Sequence, residues 1–110
     1  MRRMVESTQR QIRQLELKVD GTGTAALGGP AKLQGTLVDN GTGDYTITFA
    51  EPFAQDVMAV ITMRTAETVA LIAASSKTAI QVTTFAMDGT TATDADFDML
   101  VISSEITEQY

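Results

Sequence analysis

The sequence predicts a mainly β protein, in which a short N-terminal α-helical coiled coil precedes a small antiparallel β-sandwich or jelly-roll-like domain. Three observations support this fold class. Apolar residues recur at seven-residue spacing over the first twenty residues, a glycine-rich stretch follows, and apolar and polar residues alternate from residue 32 onwards. We therefore divide the chain into a coiled-coil stalk over residues 1–20, a linker over residues 21–31 and a β domain over residues 32–110.

The N-terminal segment has the composition and spacing of a coiled-coil helix. Residues 1–19 contain no Gly or Pro and are rich in Arg, Gln, Glu and Leu, which favour helix. A helix this short is marginal alone in water, so we expect partner copies to bury its apolar seam, and we expect the helix to end at Asp20-Gly21. The predicted trimer seam consists of Val5, Thr8, Ile12, Leu15 and Val19.

The seam alone leaves bundles of two, three or four helices open, as well as an amphipathic helix lying on its own domain. Residues 11–16 resemble the trimer-favouring pattern Arg–apolar–x–x–apolar–Glu, with Gln11 in place of the leading Arg and Glu16 at the end. A small core with four Phe, two Tyr and no Trp is also marginal. Because no Cys is available for disulfides, oligomerisation is the expected means of stabilisation, and we expect a homotrimer.

Six short strands are predicted after the linker. Alternation is clearest where Tyr45, Ile47 and Phe49 share one face, directly after the turn-forming residues 39–44. Residues 69–74 are apolar on both faces, and their short length favours a central or interface strand over a helix. The predicted strands are Lys32–Val38, Tyr45–Phe49, Val57–Arg64, Val69–Ser75, Ala79–Met87 and Asp96–Ser104.

Neither catalysis nor a cofactor is expected. The chain has no His and no Cys, which removes the commonest general base, the thiol nucleophile and the usual zinc ligands. No stretch reaches the ~18 apolar residues of a membrane-spanning helix, and no signal peptide is visible. We therefore expect a protein that is not an enzyme and has no membrane partner.

Three closely spaced aspartates form a possible cation site. Alternation would place Asp94, Asp96 and Asp98 on one face of a strand. Calcium prefers oxygen ligands and could neutralise such a row. The alternative is a solvated strand that discourages edge-to-edge aggregation, and this is the interpretation that we favour.

Charge is divided unevenly along the chain. Residues 1–20 carry a net charge of +2 and residues 21–110 a net charge of -8. An acidic domain repels nucleic acid, so no specific nucleic-acid partner is expected. The basic residues of the N-terminal segment could be ordinary solvent-exposed residues on the flanks of the coiled coil. Alternatively, these basic residues could contact an acidic protein surface. The basic residues considered for attachment are Arg2, Arg3, Arg10 and Arg13.

The order of heptad helix, glycine-rich joint and Thr- and Ala-rich β domain resembles the virion proteins of tailed bacteriophages. Residues 43–53, GDYTITFAEPF, look like the G-x-Y-x-I-x-F-x-x-P-F hairpin of trimeric phage fibre, spike and head-decoration domains. The resemblance implies a structural protein that is made in the host cytoplasm and decorates the capsid or forms a head fibre. Its implied partners are its own copies and capsid or other virion proteins, with the N-terminal helix as anchor.

A receptor- or glycan-binding tip domain of a phage tail fibre is the alternative function. Sugar-binding sites favour exposed Trp and Tyr, whereas this chain has no Trp. Tyr45 is predicted to face the core, which leaves Tyr110 as the other tyrosine. This composition favours the structural role over the binding module.

Overall fold

The computed structural model describes residues 12–105. Over this range the chain forms eight β-strands and one short 3₁₀ turn, and every strand pairing is antiparallel. The strands are β1 (Ile12–Asp20), β2 (Ala26–Gly28), β3 (Gly35–Gly41), β4 (Asp44–Phe49), β5 (Met58–Met63), β6 (Thr68–Ser75), β7 (Ala79–Ala86) and β8 (Asp96–Ser104). The 3₁₀ turn Lys32–Gln34 precedes β3.

The described strands form two four-stranded sheets that pack face to face as a β-sandwich. The first sheet has the order β2-β1-β8-β5 and the second the order β3-β4-β7-β6. Alternate residues of the central strands point inward, so Leu17 and Phe97 of the first sheet join Tyr45 and Ile47 of the second in one apolar core. The mainly β, sandwich-like part of the predicted fold is therefore confirmed.

The predicted N-terminal coiled coil is wrong. Residues 12–20 form strand β1, and residues 12–105 contain no α-helix. The strand lies in the middle of the first sheet and pairs with β8 along its whole length, from Ile12 opposite Ser104 to Asp20 opposite Asp96. Burial of an alternating apolar set inside the sandwich overrides the helix propensity of this segment. Leu15, Leu17 and Val19 form that set.

Residues 21–31, predicted as a linker, are tied to the sandwich. Strand β2 lies within this segment and pairs with the end of β1, where Gly28 is opposite Lys18. The backbone N–H of Ala31 donates to the carbonyl of Glu16 at 3.0 Å. Leu27 packs against the core. The segment therefore forms one edge of the first sheet.

The later strands follow the predicted alternation closely. The predicted strand Asp96–Ser104 agrees with β8. The predicted turn 39–44 is shorter in the structure, because β3 extends to Gly41, with a bulge between Asp39 and Gly41, and β4 begins at Asp44. The predicted strand Lys32–Val38 begins instead with the 3₁₀ turn, so the strand starts at Gly35. Strand β6, predicted as a central or interface strand, is an edge strand of the second sheet, so the central position is excluded.

Candidate functional site

The charged groups on the outer face of the first sheet form one connected network. The carboxylate of Asp98 accepts hydrogen bonds from the Lys18 Nζ at 3.2 Å and from the Arg64 Nε at 2.8 Å. The Arg64 Nη2 also donates to Asp20 at 2.8 Å and to the Val19 carbonyl at 3.2 Å. These contacts join β1, β8 and the end of β5 across the sheet.

Protonation of this network is shifted in the directions that the ion pairs require. Desolvation by burial raises the pKa of Asp98, but hydrogen bonds from Lys18 and Arg64 outweigh it and the pKa is lowered overall. The pKa of Arg64 is raised, chiefly by its hydrogen bond to Asp20. Asp98 and Arg64 are therefore both favoured in their charged forms, as a structural ion pair requires.

Asp96 fixes the chain at the point where β1 ends. Its carboxylate accepts the backbone N–H of Gly21 at 2.9 Å, and the backbone N–H and hydroxyl of Thr22 at 3.1 and 3.0 Å. Desolvation raises the pKa of Asp96, but the hydrogen bonds from Thr22 and Gly21 and the charge of Arg64 lower it overall. The carboxylate acts as a turn-holding acceptor.

Asp94 belongs to a second, more buried group of polar atoms. Its carboxylate accepts the backbone N–H of Gly43 at 2.8 Å and the phenol hydroxyl of Tyr45 at 3.0 Å. The Tyr45 oxygen also lies 3.2 Å from the Gly21 carbonyl. Burial, followed by the hydrogen bond to Asp94, raises the pKa of Tyr45 to about 12. The phenol therefore stays protonated and connects three segments of the chain.

The three aspartates considered for a cation do not converge on one point. Asp94 binds Gly43 and Tyr45, whereas Asp96 and Asp98 engage the separate donors described above. Within residues 12–105, no group of three or more His, Cys, Asp or Glu side chains is placed to hold a metal ion. Each carboxylate is thus occupied by donors of the chain itself.

Arg13, predicted as an attachment residue, packs against the sandwich. Its guanidinium lies 4.1 Å from the centroid of the Phe53 ring, and its Nη1 donates to the Pro52 carbonyl at 3.2 Å. This stacked position covers one end of the apolar core. The other predicted attachment residues, Arg2, Arg3 and Arg10, lie outside the described residues.

The predicted trimer seam is not a continuous surface in the structure. Leu15 and Val19 are buried in the core of their own sandwich, whereas Ile12 is 62% exposed on the outer face of β1. Val5 and Thr8 lie outside the described residues. Because Ile12 lies on the opposite face of the strand from Leu15 and Val19, these three side chains cannot line one helical seam.

An apolar surface occupies the outer face of the first sheet beyond the charged network. Met58 and Val60 of β5 are 73% and 63% exposed, and they pair with the half-buried Ile102 and Leu100 of β8. A shallow groove of about 410 Å³ runs from this surface towards Lys18. Exposed apolar side chains in a contiguous group indicate a contact surface.

Strands β5 and β6 border the same side of the sandwich, and the segment that forms β6 was predicted as a central or interface strand. Their contact brings together two edge strands, one from each sheet. Both strands lack charged residues. An absence of charge is typical of a central strand and also of an edge strand that contacts a partner. The uncharged sequences of β5 and β6 were therefore the feature that could have pointed to this surface.

Among residues 12–105, no helix has the length and apolar character needed to cross a bilayer. Comparisons of the chain with protein-family models, with curated proteins and with solved structures find no match.

Proposed function

We propose that the chain is a structural protein of a tailed-bacteriophage virion, which decorates the particle or projects from it as a homotrimer. In this proposal the β-sandwich is an assembly subunit and has no catalytic role. The function is exerted through surfaces that contact other copies and other virion proteins. The N-terminal coiled coil is no longer part of the proposal, since residues 12–20 belong to the sandwich.

The exposed apolar surface is the observation that carries the proposal. A small acidic domain that places Met58 and Val60 together on an outer sheet face has a surface suited to contact with protein. Two of the charged residues that line the groove, Lys18 and Asp98, already bond each other, and Asp98 also bonds Arg64. The surface therefore offers apolar area for packing against protein.

The phage part of the proposal rests on the sequence resemblance of residues 43–53. Residues 43–53 form β4 and the loop after it, and the tyrosine, isoleucine and first phenylalanine of the pattern all point into the core. The second phenylalanine, Phe53, packs against Phe49 with ring centroids 5.0 Å apart and rings inclined at 73°. The pattern is thus used as a folding unit of the sandwich.

We further propose that the basic N-terminal residues attach the protein to the particle. Residues 1–11 carry a net charge of +2, and residues 12–110 carry a net charge of -8. Arg2, Arg3 and Arg10 would meet an acidic virion surface without the repulsion that the sandwich would experience. Three copies in a homotrimer would multiply these contacts.

Incorporation into particles of the encoding phage tests this function. We expect purified virions to contain the protein and to lose it when residues 1–11 are deleted or when Arg2, Arg3 and Arg10 are replaced by Gln. Lys32→Gln with Lys77→Gln is the matched control, because it removes exposed positive charge from the sandwich.

The outcomes separate the candidate functions. Absence of the wild-type protein from purified virions would overturn the proposal. Normal incorporation of both N-terminal variants would contradict the attachment role of these arginines. Virions that lack the protein and no longer adsorb to cells would instead favour the tail-fibre tip.

A further inference from the structure

Asn40 is the single asparagine of the chain, and Gly41 follows it directly. An asparagine is chemically labile when the next backbone nitrogen can reach its side-chain carbonyl carbon, and glycine allows the closest approach because it has no Cβ. Two related pairs, Asp20-Gly21 and Asp88-Gly89, could undergo the slower version of the same ring closure through a carboxyl group. The three pairs can therefore be compared within one fold.

The Asn40-Gly41 pair lies where the backbone is weakly constrained. Strand β3 is an edge strand, and its register with β4 is interrupted between Asp39 and Gly41, so no residue of β4 lies opposite Asn40. Such a bulge disrupts the ladder locally. Asn40 and Gly41 are both exposed, and no atom lies within 4 Å of the position that a Cβ on Gly41 would take. Ring closure here would displace no packed group.

The hydrogen bonds that hold this pair lie on the exposed surface. The Asn40 Nδ2 donates to the Thr46 hydroxyl at 2.7 Å and to the Asp44 carboxylate at 3.4 Å. The Gly41 N–H donates to the Asp39 carboxylate at 3.0 Å. Because water can replace each of these partners at a small net cost, the hydrogen bonds slow ring closure without preventing it.

The Asp20-Gly21 pair is held much more firmly. The Gly21 N–H donates to the Asp96 carboxylate at 2.9 Å, and Asp20 is ion-paired with Arg64 at 2.8 Å. Gly21 is buried, and the space beside its Cα is filled by the Tyr45 hydroxyl. The Gly21 nitrogen therefore has neither a free N–H nor the room to turn towards the Asp20 side chain.

The Asp88-Gly89 pair is exposed but is held by its own turn. The Asp88 carboxylate accepts the backbone N–H groups of Thr90 and Thr91, each at 2.9 Å, and the Gly89 N–H donates to the Ala86 carbonyl at 2.9 Å. Hydrogen bonds from the Thr91 hydroxyl and from these N–H groups lower the pKa of Asp88 to about 2. The carboxyl group therefore stays ionised, and a carboxylate is a poor target for a nucleophile.

We propose that Asn40 is a site of spontaneous covalent modification, at which the folded chain closes to a succinimide and is then hydrolysed to aspartate and isoaspartate. The Gly41 nitrogen loses its proton to solvent base and bonds to the Asn40 Cγ. The Cγ–Nδ2 bond breaks, and the nitrogen takes up protons from water and leaves as ammonia. Water then opens the ring. Addition at Cγ gives aspartate, and addition at the main-chain carbonyl carbon gives isoaspartate.

The modification changes the charge of the turn between β3 and β4. Replacing the amide by a carboxylate takes the formal net charge of the chain from -6 to -7. The new charge lies beside Asp44, from which the Asn40 Nδ2 is 3.4 Å away, so an attractive contact becomes a repulsive one. The modified chain is therefore more acidic, and its β3–β4 turn is weakened. This inference does not depend on the proposed function.

Ageing of the folded wild-type chain at mildly alkaline pH tests the proposal. We expect an acidic species to accumulate on ion-exchange chromatography, at the position where a fresh Asn40→Asp sample elutes. Digestion followed by mass spectrometry and an isoaspartate methylation assay should locate the change at residue 40. Asn40→Gln is the matched control, because it keeps the amide but requires a less favourable six-membered ring. The acidic species should be lost in this variant.

The chain unfolded in guanidinium supplies the reference rate for each pair. Isoaspartate should form at residues 20, 40 and 88 in the unfolded chain, but at residue 40 alone in the folded chain. The proposal is overturned if the folded chain stays unmodified while the unfolded chain reacts, or if the acidic species persists in Asn40→Gln. Comparable isoaspartate at residue 20 or 88 of the folded chain would also overturn it. Incorporation into virions is measured separately, so neither result decides the other.

Discussion

The phenol oxygen of Tyr45 lies 3.0 Å from the carboxylate of Asp94, and this contact joins β4 to the segment that leads into β8. The same oxygen approaches the carbonyl of Gly21, at the end of β1. One buried hydroxyl therefore connects strands of both sheets. Its removal is a direct test of how far these polar contacts stabilise the sandwich.

Replacing Tyr45 by Phe should change both the stability and its dependence on pH. The pKa of Tyr45 is raised from 10.0 to about 12 in the folded chain. The contribution of this raised pKa to the free energy of unfolding is therefore fully present below pH 10 and is lost as the pH rises towards 12. The total loss is about 2–3 kcal/mol. At neutral pH, Tyr45→Phe should lower the free energy of unfolding by about 1–2 kcal/mol.

Urea unfolding at a series of pH values measures both effects. The wild type should lose stability between pH 10 and pH 12, and Tyr45→Phe should lose less over the same interval. Tyr110 is present in both proteins, so its titration cancels in the comparison. Parallel pH profiles would show that the Tyr45 phenol is not the titrating group.

Gly21→Ala should be poorly tolerated, because the backbone at residue 21 is in close contact with its neighbours. A Cβ at this position would collide with the Tyr45 hydroxyl and the Ala95 carbonyl. We expect a loss of about 1–3 kcal/mol in thermal or urea unfolding. Gly28→Ala is the control, since its Cβ would lie 4.0 Å from the Lys18 Cβ and its effect should be within about 0.5 kcal/mol. Equal effects would contradict the close packing described at Gly21.

Two alanine substitutions in β1 distinguish a strand from a coiled-coil helix. Leu17 is 2% exposed, so Leu17→Ala should destabilise the sandwich by about 2–5 kcal/mol. Ile12 is mostly exposed, and Ile12→Ala should cost less than about 1 kcal/mol. A helical seam predicts the reverse order, because Ile12 would lie inside it and Leu17 outside. Denaturant unfolding of the two variants ranks them.

Removal of divalent cations should leave the sandwich unchanged. Asp94, Asp96 and Asp98 are each satisfied by hydrogen-bond donors of the chain. A chelator should therefore shift the melting temperature by less than about 2 °C, whereas loss of a cation coupled to folding normally costs several kcal/mol. Calorimetry with and without chelator makes the comparison, and a larger fall would restore the cation hypothesis.

Alternation was sufficient to predict the strands that bury one face. In β4, Tyr45, Ile47 and Phe49 point inward while Thr46 and Thr48 point outward, and this contrast is visible in the sequence. The same contrast is present in β1, but the spacing of Ile12, Leu15 and Val19 also fits a heptad. Leu17 was the discriminating residue. It has no place in that seam but completes the inward-facing set of a strand.

The arrangement of strands could not be read from the same pattern. Residues 69–74 are apolar at every position, which predicts burial on both faces, yet β6 is an edge strand. Sheet order depends on long-range pairing, and one strand carries no information about its neighbours. Similarly, Asp94, Asp96 and Asp98 looked like one row. In the structure, each of the three carboxylates accepts hydrogen bonds from different donors, which a turn or a neighbouring strand places next to it.

The pairing of β1 with β8 has a consequence for how the chain acquires its structure. These are the first and last described strands, and they are matched over all nine residues. The hairpins β3–β4 and β6–β7 can form as soon as their own residues leave the ribosome, but β1 cannot pair with β8 until residues 96–104 have been synthesised. Such distant pairing slows folding to about milliseconds or longer. Until β8 has been synthesised, the apolar face of β1 has no strand to pair with in the nascent chain. We therefore expect aggregation and chaperone binding to be most frequent during synthesis.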